Sequence, residues 1–120
     1  MRNNLLIIKL LISLFFATNL FANNLEISSS EIKLDKKNSK IILKGNIKAV
    51  DENKNILKAE EAFYLKDQDL LNSTGLTSII TSENYLLEGE NVIFDNKNKI
   101  IKSDFPTKIT DPNGNIFSVK

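Results

Sequence analysis

Apolar residues recur at every second position through much of the chain: Ile32 and Leu34; Ile41, Leu43, Ile47 and Ala49 with Gly45 in step; Val92 and Phe94. A period of two is that of a β-strand with one buried face, and helical spacing is poor. Polar clusters at 35–40, 51–55, 66–69, 95–99 and 111–115 break the runs. Their Asn, Asp, Gly and Pro residues favour turns. The pattern predicts an all-β chain of short strands.

The pattern also repeats at a spacing of thirty. With windows 30–59, 60–89 and 90–119 superimposed, Ile32, Ala62 and Val92 share a column, as do Leu34, Tyr64 and Phe94. Ile41, Leu71 and Ile101 share another, followed by Ala49, Ile79 and Ile109, then by Ile27, Leu57, Leu87 and Phe117. Gly45 aligns with Gly75, and Phe105 stands there in the third copy. Self-similarity at such a period marks stacked units, none of which buries its apolar face alone. Each unit is expected to hold two or three short strands. An even period preserves side-chain parity, so residues in register point inward together and form a tapered, oily trough or tunnel. Small or polar residues at Ala62, Ser73, Thr77, Gly89, Ser103 and Thr107 interrupt the columns and are expected to leave space between the large side chains. In the middle repeat two faces compete, Leu70, Leu76 and Ile80 against Leu71, Thr77 and Ile79.

Residues 1–22 differ from the rest. Arg2 supplies a basic start, residues 5–17 an apolar stretch interrupted by Lys9, and Phe21-Ala22 a small-residue exit before Asn23. This reads as a secretory signal peptide cut after Ala22, with Leu20 an untypical residue at the third position before the cut. The competing reading is an uncleaved inner-membrane anchor. Removal of Arg2 and Lys9 leaves fourteen basic against fifteen acidic residues, a net charge near −1. The lysines are scattered, so nucleic acid is not an expected partner. Residues 23–120 suffice for one domain with a modest core. The chain has no cysteine, which removes disulfides, thiolate metal sites and a lipidated cut site.

The chemistry available is sparse. The absence of histidine excludes imidazole catalysis and histidine metal ligands. Phosphate-loop and nucleophile-elbow motifs are missing. The carboxylate pairs Glu60 and Glu61, Glu88 and Glu90, and Asp67 and Asp69 read as solvated strand ends. Residues 111–115, Asp-Pro-Asn-Gly-Asn, lack the spaced acids of a calcium loop and read as a hairpin turn. Neither an enzyme nor a cofactor is expected.

The three copies read SEIKLDKKNSKIILKGNIKAV, EAFYLKDQDLLNSTGLTSII and ENVIFDNKNKIIKSDFPTKIT. They resemble the OstA-like lipopolysaccharide-transport family, which comprises the periplasmic LptA, its membrane-anchored relative LptC and the N-terminal domain of LptD. The likeness covers residues 25–119, and its most telling part runs from Ile32-Lys33-Leu34-Asp35 through the turn to Lys44-Gly45-Asn46-Ile47. In the middle copy Lys66 stands one position past the place of that Asp, and in the third Asp104-Phe105 replaces the Gly pair. The resemblance implies a V-shaped β-jellyroll in the periplasm, holding lipid A acyl chains in an apolar groove and joining like domains, or further copies of itself, by edge-strand pairing. The edges would be Leu25–Ser29 and Ile116–Val119. Ile32, Leu34, Ile41, Leu43, Ile47, Leu57, Tyr64, Leu71, Ile79, Leu87, Phe94, Ile101, Ile109 and Phe117 are the expected groove lining. The alternatives are the front end of a longer LptD chain and a structural β-solenoid interaction module.

Overall fold

The computed structural model describes residues 25–104 and 107–119, together with the backbone of residues 18–22. The expected signal peptide, that short backbone apart, and Phe105 lie outside the described residues. The strands are β1 (Thr18–Ala22), β2 (Leu25–Ser29), β3 (Glu31–Asp35), β4 (Lys40–Val50), β5 (Ile56–Leu65), β6 (Leu70–Thr74), β7 (Leu76–Ile80), β8 (Leu86–Glu90), β9 (Val92–Asp95), β10 (Ile100–Ser103), β11 (Thr107–Thr110) and β12 (Ile116–Val119). A 3₁₀ turn, Lys66–Gln68, joins β5 to β6. All twelve strands belong to one antiparallel sheet. The fold is all-β, curled into a jellyroll-like half-barrel.

A crease divides the sheet. Between Lys44 and Ile47 the β4–β5 register shifts, so that Gly45 and Asn46 oppose Glu60. Both have positive φ, 79° and 47°. An extra residue in a strand bends it, and the bend reverses side-chain parity in β5. Leu57 and Ala59 are buried before it, Ala62 and Tyr64 after it, and Glu60 and Glu61 between them are both exposed. The break recurs at Ser30, Gly75 and Asn91, where β2 gives way to β3, β6 to β7 and β8 to β9. Gly75 and Asn91 again have positive φ, 79° and 51°.

On one side of the crease lies a long arm, ordered β1-β2-β4-β5-β7-β8-β11-β12. On the other lies a short arm, β3-β4-β5-β6-β9-β10, with β4 and β5 running through both. The arms face each other across one core: Ile27, Ala49, Leu57 and Ile79 from the long arm join Leu43, Tyr64, Leu71 and Phe94 from the short arm. Each repeat therefore contributes four strand segments, where the sequence pattern predicts two or three. In the first repeat β4 runs through the bend without a break in the strand.

The thirty-residue period is written into the backbone. Ser39, Asp69 and Lys99 have φ of 50°, 50° and 55°, and Lys54, Asn84 and Gly114 have 68°, 68° and 89°. The second set lies in three hairpins built alike, each a tight turn followed by a left-handed residue. Asp51 N–H donates to Asn55 O at 3.1 Å, Thr81 N–H to Tyr85 O at 2.9 Å and Asp111 N–H to Asn115 O at 2.9 Å. Asp51 and Asp111 each accept from the backbone two and four residues on and from the side-chain amide of Asn55 or Asn115. The five polar clusters of the sequence are all turns. A sixth, at 81–85, has Thr81 in place of the aspartate, its hydroxyl taking the Tyr85 N–H at 3.0 Å; without Asp, Gly or Pro it gave no comparable sequence signal.

Gly45 and Gly75 share a φ of +79°, but a Cβ at Gly45 would stand 3.0 Å from Ser30 Cβ, whereas one at Gly75 would meet nothing within 4 Å. Gly75→Ala should lose about 1–2 kcal/mol for the left-handed conformation alone. Gly45→Ala should lose measurably more in urea denaturation, because β2 must also shift.

The Asp35, Asp95 and Asp111 carboxyls are all held below the ordinary carboxylate range, chiefly by the side-chain amides of Asn38, Asn98 and Asn115 respectively. A depressed folded pKa contributes stability that is complete above the unfolded value of about 4 and is lost as pH falls through the lower folded values. The triple variant with Asn at 35, 95 and 111 should show a shallower fall in denaturation midpoint between pH 5 and pH 2 than the parent chain, the interval being roughly that of carboxylate titration.

Candidate functional site

The expected groove residues come together on one face. Cross-strand pairing on the long arm sets Ile27, Ala49, Leu57, Ile79, Leu87, Ile109 and Phe117 in a single row across seven strands. The short arm carries the opposing row Leu34, Ile41, Tyr64, Leu71, Phe94 and Ile101. Ile32, Leu43 and Ile47 lie on the same face beside these rows. The competition in the middle repeat is resolved: Leu71, Thr77 and Ile79 are buried, while Leu76 and Ile80 are exposed and Leu70 is half-buried on the outer face.

Burial along the rows is unequal. Ile41, Leu43, Ile47, Leu57, Tyr64, Leu71, Ile79 and Phe94 are packed into the core, and Ile32 and Leu87 pack against it. Ile109 is half-buried. Leu34, Ile101 and Phe117 stand open at 65%, 40% and 54% of full exposure. Leu34 lies on the short arm's other edge strand, β3; for the C-terminal columns the cause is the difference in arm length. The short arm ends at β10, whereas the long arm continues through β11 and β12, so the last columns have no opposite wall. The expected trough is thus filled with side chains through its middle and open at its C-terminal end.

The small residues have a different part from the one their spacing implies. Ser73 and Thr77 are buried at the crease with their hydroxyls 2.5 Å apart. The Ser73 oxygen accepts from Val92 N–H at 3.0 Å, and Thr77 donates to Gly75 O at 3.1 Å. Gly75 N–H in turn donates to Asn91 Oδ1 at 2.9 Å. At the next strands, a Cβ on Gly89 would lie 3.1 Å from Ser103 Oγ and 3.3 Å from Thr107 Oγ1. These residues form a hydrogen-bonded seam that lets the arms approach, rather than space for a ligand. Buried backbone groups at a break in the ladder need such partners.

Polar contacts tie down the far edges of the arms. The Tyr64 hydroxyl, fully buried, donates to Asp69 Oδ1 at 2.6 Å. Asn96 Nδ2 donates to Asp69 Oδ2 at 2.8 Å, and Lys99 Nζ to Asn96 Oδ1 at 2.8 Å. Lys99 also lies 3.5 Å from Glu52 Oε1 in the β4–β5 turn, joining the tip of the short arm to the tip of the long one. Asp69 is absorbed in this network, while Asp67, Glu60, Glu61, Glu88 and Glu90 are exposed.

A hollow of about 690 Å³ lies elsewhere, on the outer face of the long arm, lined by Lys48, Lys58, Glu60, Leu76, Glu88 and Glu90 among others. Its mixed charges suit a solvated surface. Among the described residues there is no metal-binding cluster of acids and no helix long and apolar enough to cross a membrane. Comparison with protein-family models, curated proteins and solved structures finds no match to this chain.

Phe63 lies on the outer face under Lys40 Nζ, 4.0 Å from its ring centre, and Tyr85 is exposed in a turn. In the uncut chain β1 pairs along Leu25–Ser29, from Thr18↔Ser29 to Ala22↔Leu25.

Tyr64→Phe keeps the ring in the core but strips a partner from the buried Asp69. It should cost about 1–3 kcal/mol in chemical denaturation, and Asp69→Asn, whose amide nitrogen would face the Asn96 amide nitrogen, should cost at least as much.

Proposed function

We propose that this protein carries lipopolysaccharide in the periplasm, holding lipid A acyl chains against the apolar inner face as one link between inner and outer membranes. One observation carries the reading: a continuous apolar row leaves the packed core at Ile79 and loses its cover by steps, half-buried at Leu87 and Ile109 and exposed at Phe117. A row built only to stabilise the fold would end where the opposing arm ends. Burying each acyl methylene is worth about 0.8 kcal/mol, so a few carbons laid along this end hold a lipid firmly.

The core supports entry at the open end, not along the whole trough. Passage past Tyr64 and Leu57, both within 1% of complete burial, requires the arms to part, and the Glu52–Lys99 pair opposes that. Movement along the face is driven from outside, by lipid delivered at one end. No ATPase motif is present to supply direction.

Edge strands give the reading its partners, other OstA-like domains or further copies. β12 ends the long arm, and all four of its residues are exposed. Such an edge presents unpaired N–H and C=O groups to a new strand. At the opposite end, a cut after Ala22 removes β1 and uncovers the β2 edge in the same act. An N-terminal domain of a longer LptD chain would use the same face. The sealed core is what a structural interaction module would show, and the following test separates the two.

A photoreactive residue placed in cells at Ile109 or Phe117 should give a lipopolysaccharide adduct, and one at the outward Lys108 should not. Equal labelling at all three positions, or none despite folded protein, would remove the lipid-carrier reading and leave the structural module.

A further inference from the structure

The turns at 51–55 and 111–115 are alike down to single hydrogen bonds. Asn53 and Asn113 hold the same place in each, both exposed, and each donates its backbone N–H to the aspartate Oδ1 at 2.9 Å. The next residue, Lys54 or Gly114, is left-handed at φ 68° or 89° and donates its N–H back to the aspartate carbonyl, at 3.1 Å or 3.0 Å. That bond restrains both nitrogens alike. The turns differ in what stands beside the nitrogen: Lys54 carries a side chain and Gly114 carries none.

The difference bears on a reaction that asparagine performs on itself. Its side-chain carbonyl carbon is an electrophile, and the backbone nitrogen of the next residue, once it has lost its proton, is a nucleophile within reach. Ring closure forms a bond from that nitrogen to Cγ and breaks the bond from Cγ to the side-chain nitrogen, which leaves as ammonia. Water then opens the cyclic imide at either carbonyl. One opening gives aspartate. The other gives iso-aspartate, in which the main chain runs through the former side chain and is longer by one carbon. A Cβ on the following residue crowds the attacking nitrogen, and glycine removes that obstacle. Asn113-Gly114 is the chain's single Asn-Gly pair. The next smallest neighbours follow Asn38, whose amide is held by Asp35 Oδ2 at 3.0 Å, and Asn72, half-buried within β6.

The place of this turn in the fold gives the reaction a consequence. β12 ends the long arm, pairs with β11 alone and has no buried residue. Its register starts from the turn, where Asp111 N–H donates to Asn115 O at 2.9 Å and Asp111 Oδ1 accepts from Asn115 N–H at 2.8 Å. A carbon added to the main chain between residues 113 and 114 lies inside both rings and stretches both. The Thr110↔Ile116 pairing that follows them then loses its anchor.

We propose that Asn113 is a self-modifying site, which converts through a cyclic imide to iso-aspartate and so loosens β12, and Phe117 with it, from the end of the sheet. That chemistry belongs to the turn and holds whatever the inner face carries.

The full chain is aged in mildly alkaline buffer, its fold followed by far-ultraviolet circular dichroism, and sampled over time for digestion and mass spectrometry. The peptide holding residue 113 should gain the mass of an amide turned acid severalfold faster than the peptide holding residue 53, and an iso-aspartate methyltransferase should label it. Exchanging the neighbours makes the test reciprocal: Gly114→Lys should slow Asn113 to the rate of Asn53, and Lys54→Gly should speed Asn53 severalfold. Lysine and glycine each already stand at this left-handed position, so both variants keep the fold. In the aged chain, amide hydrogen exchange should quicken at 116–119 and stay unchanged at 76–80 on the same arm. Equal rates at 53 and 113, no conversion at 113, or conversion there that Gly114→Lys leaves unchanged would overturn the site. Unchanged exchange at 116–119 in the iso-aspartate form would overturn the loosening of β12.

Discussion

Every strand that spans this sheet must bend at the crease, and the rest of the structure depends on that bend. A flat meander of twelve strands would leave one face of Ile, Leu and Phe in water. Left-handed residues at Gly45, Asn46, Gly75 and Asn91 turn the strands so that the sheet buries its own inner face. The bend interrupts the ladder, and the hydroxyls of Ser73 and Thr77 and the amide of Asn91 satisfy the groups thus freed. Folding the sheet over and repairing its ladder are therefore one problem, solved by small polar residues in the seam.

Arm length sets how much of the inner face is covered. Where both arms are present, opposing rows interlock around Tyr64 and Leu71 and the interior is sealed. Where the long arm continues alone, the same parity carries the same apolar residues into the open. The molecule thus graduates from sealed core to open apolar face without changing its repeat. Its two outer faces differ in kind: the long arm alternates apolar and charged residues, and the short arm presents an apolar plateau rimmed by lysines and acids alike.

Much of this was legible in the sequence because alternation and an even period carry parity across the whole sheet. The columns at Ile41, Leu71 and Ile101 and at Ala49, Ile79 and Ile109 are real lateral neighbours or lie on the same face. The hairpins at 51–55 and 111–115 were visible in their Asp and Asn residues. The crease was harder to read, since Asn46 and Asn91 take left-handed conformations that nothing local demands of them. Ser73 and Thr77 looked like gaps because volume can be read from sequence and hydrogen bonding across a seam cannot. Unequal burial at Leu57 and Phe117, which share a column, follows from how many strands each arm holds, a property of topology that a repeat spacing does not contain. The apolar outer residues Ile42 and Phe63 lay inside runs whose second face the alternation argument passed over.

The central claim is that one inner face is sealed at its middle and open at its C-terminal end. Single cysteines placed along the long-arm row at Ile79, Leu87, Ile109 and Phe117 would each be the sole thiol in the chain. Their rates of reaction with a water-soluble maleimide measure the exposure of that face directly. The account requires slow labelling at 79 and progressively faster labelling through 87 and 109 to 117. Uniformly fast labelling, as in a trough open along its length, or uniformly slow labelling, as in a solenoid filled to its end, would contradict it.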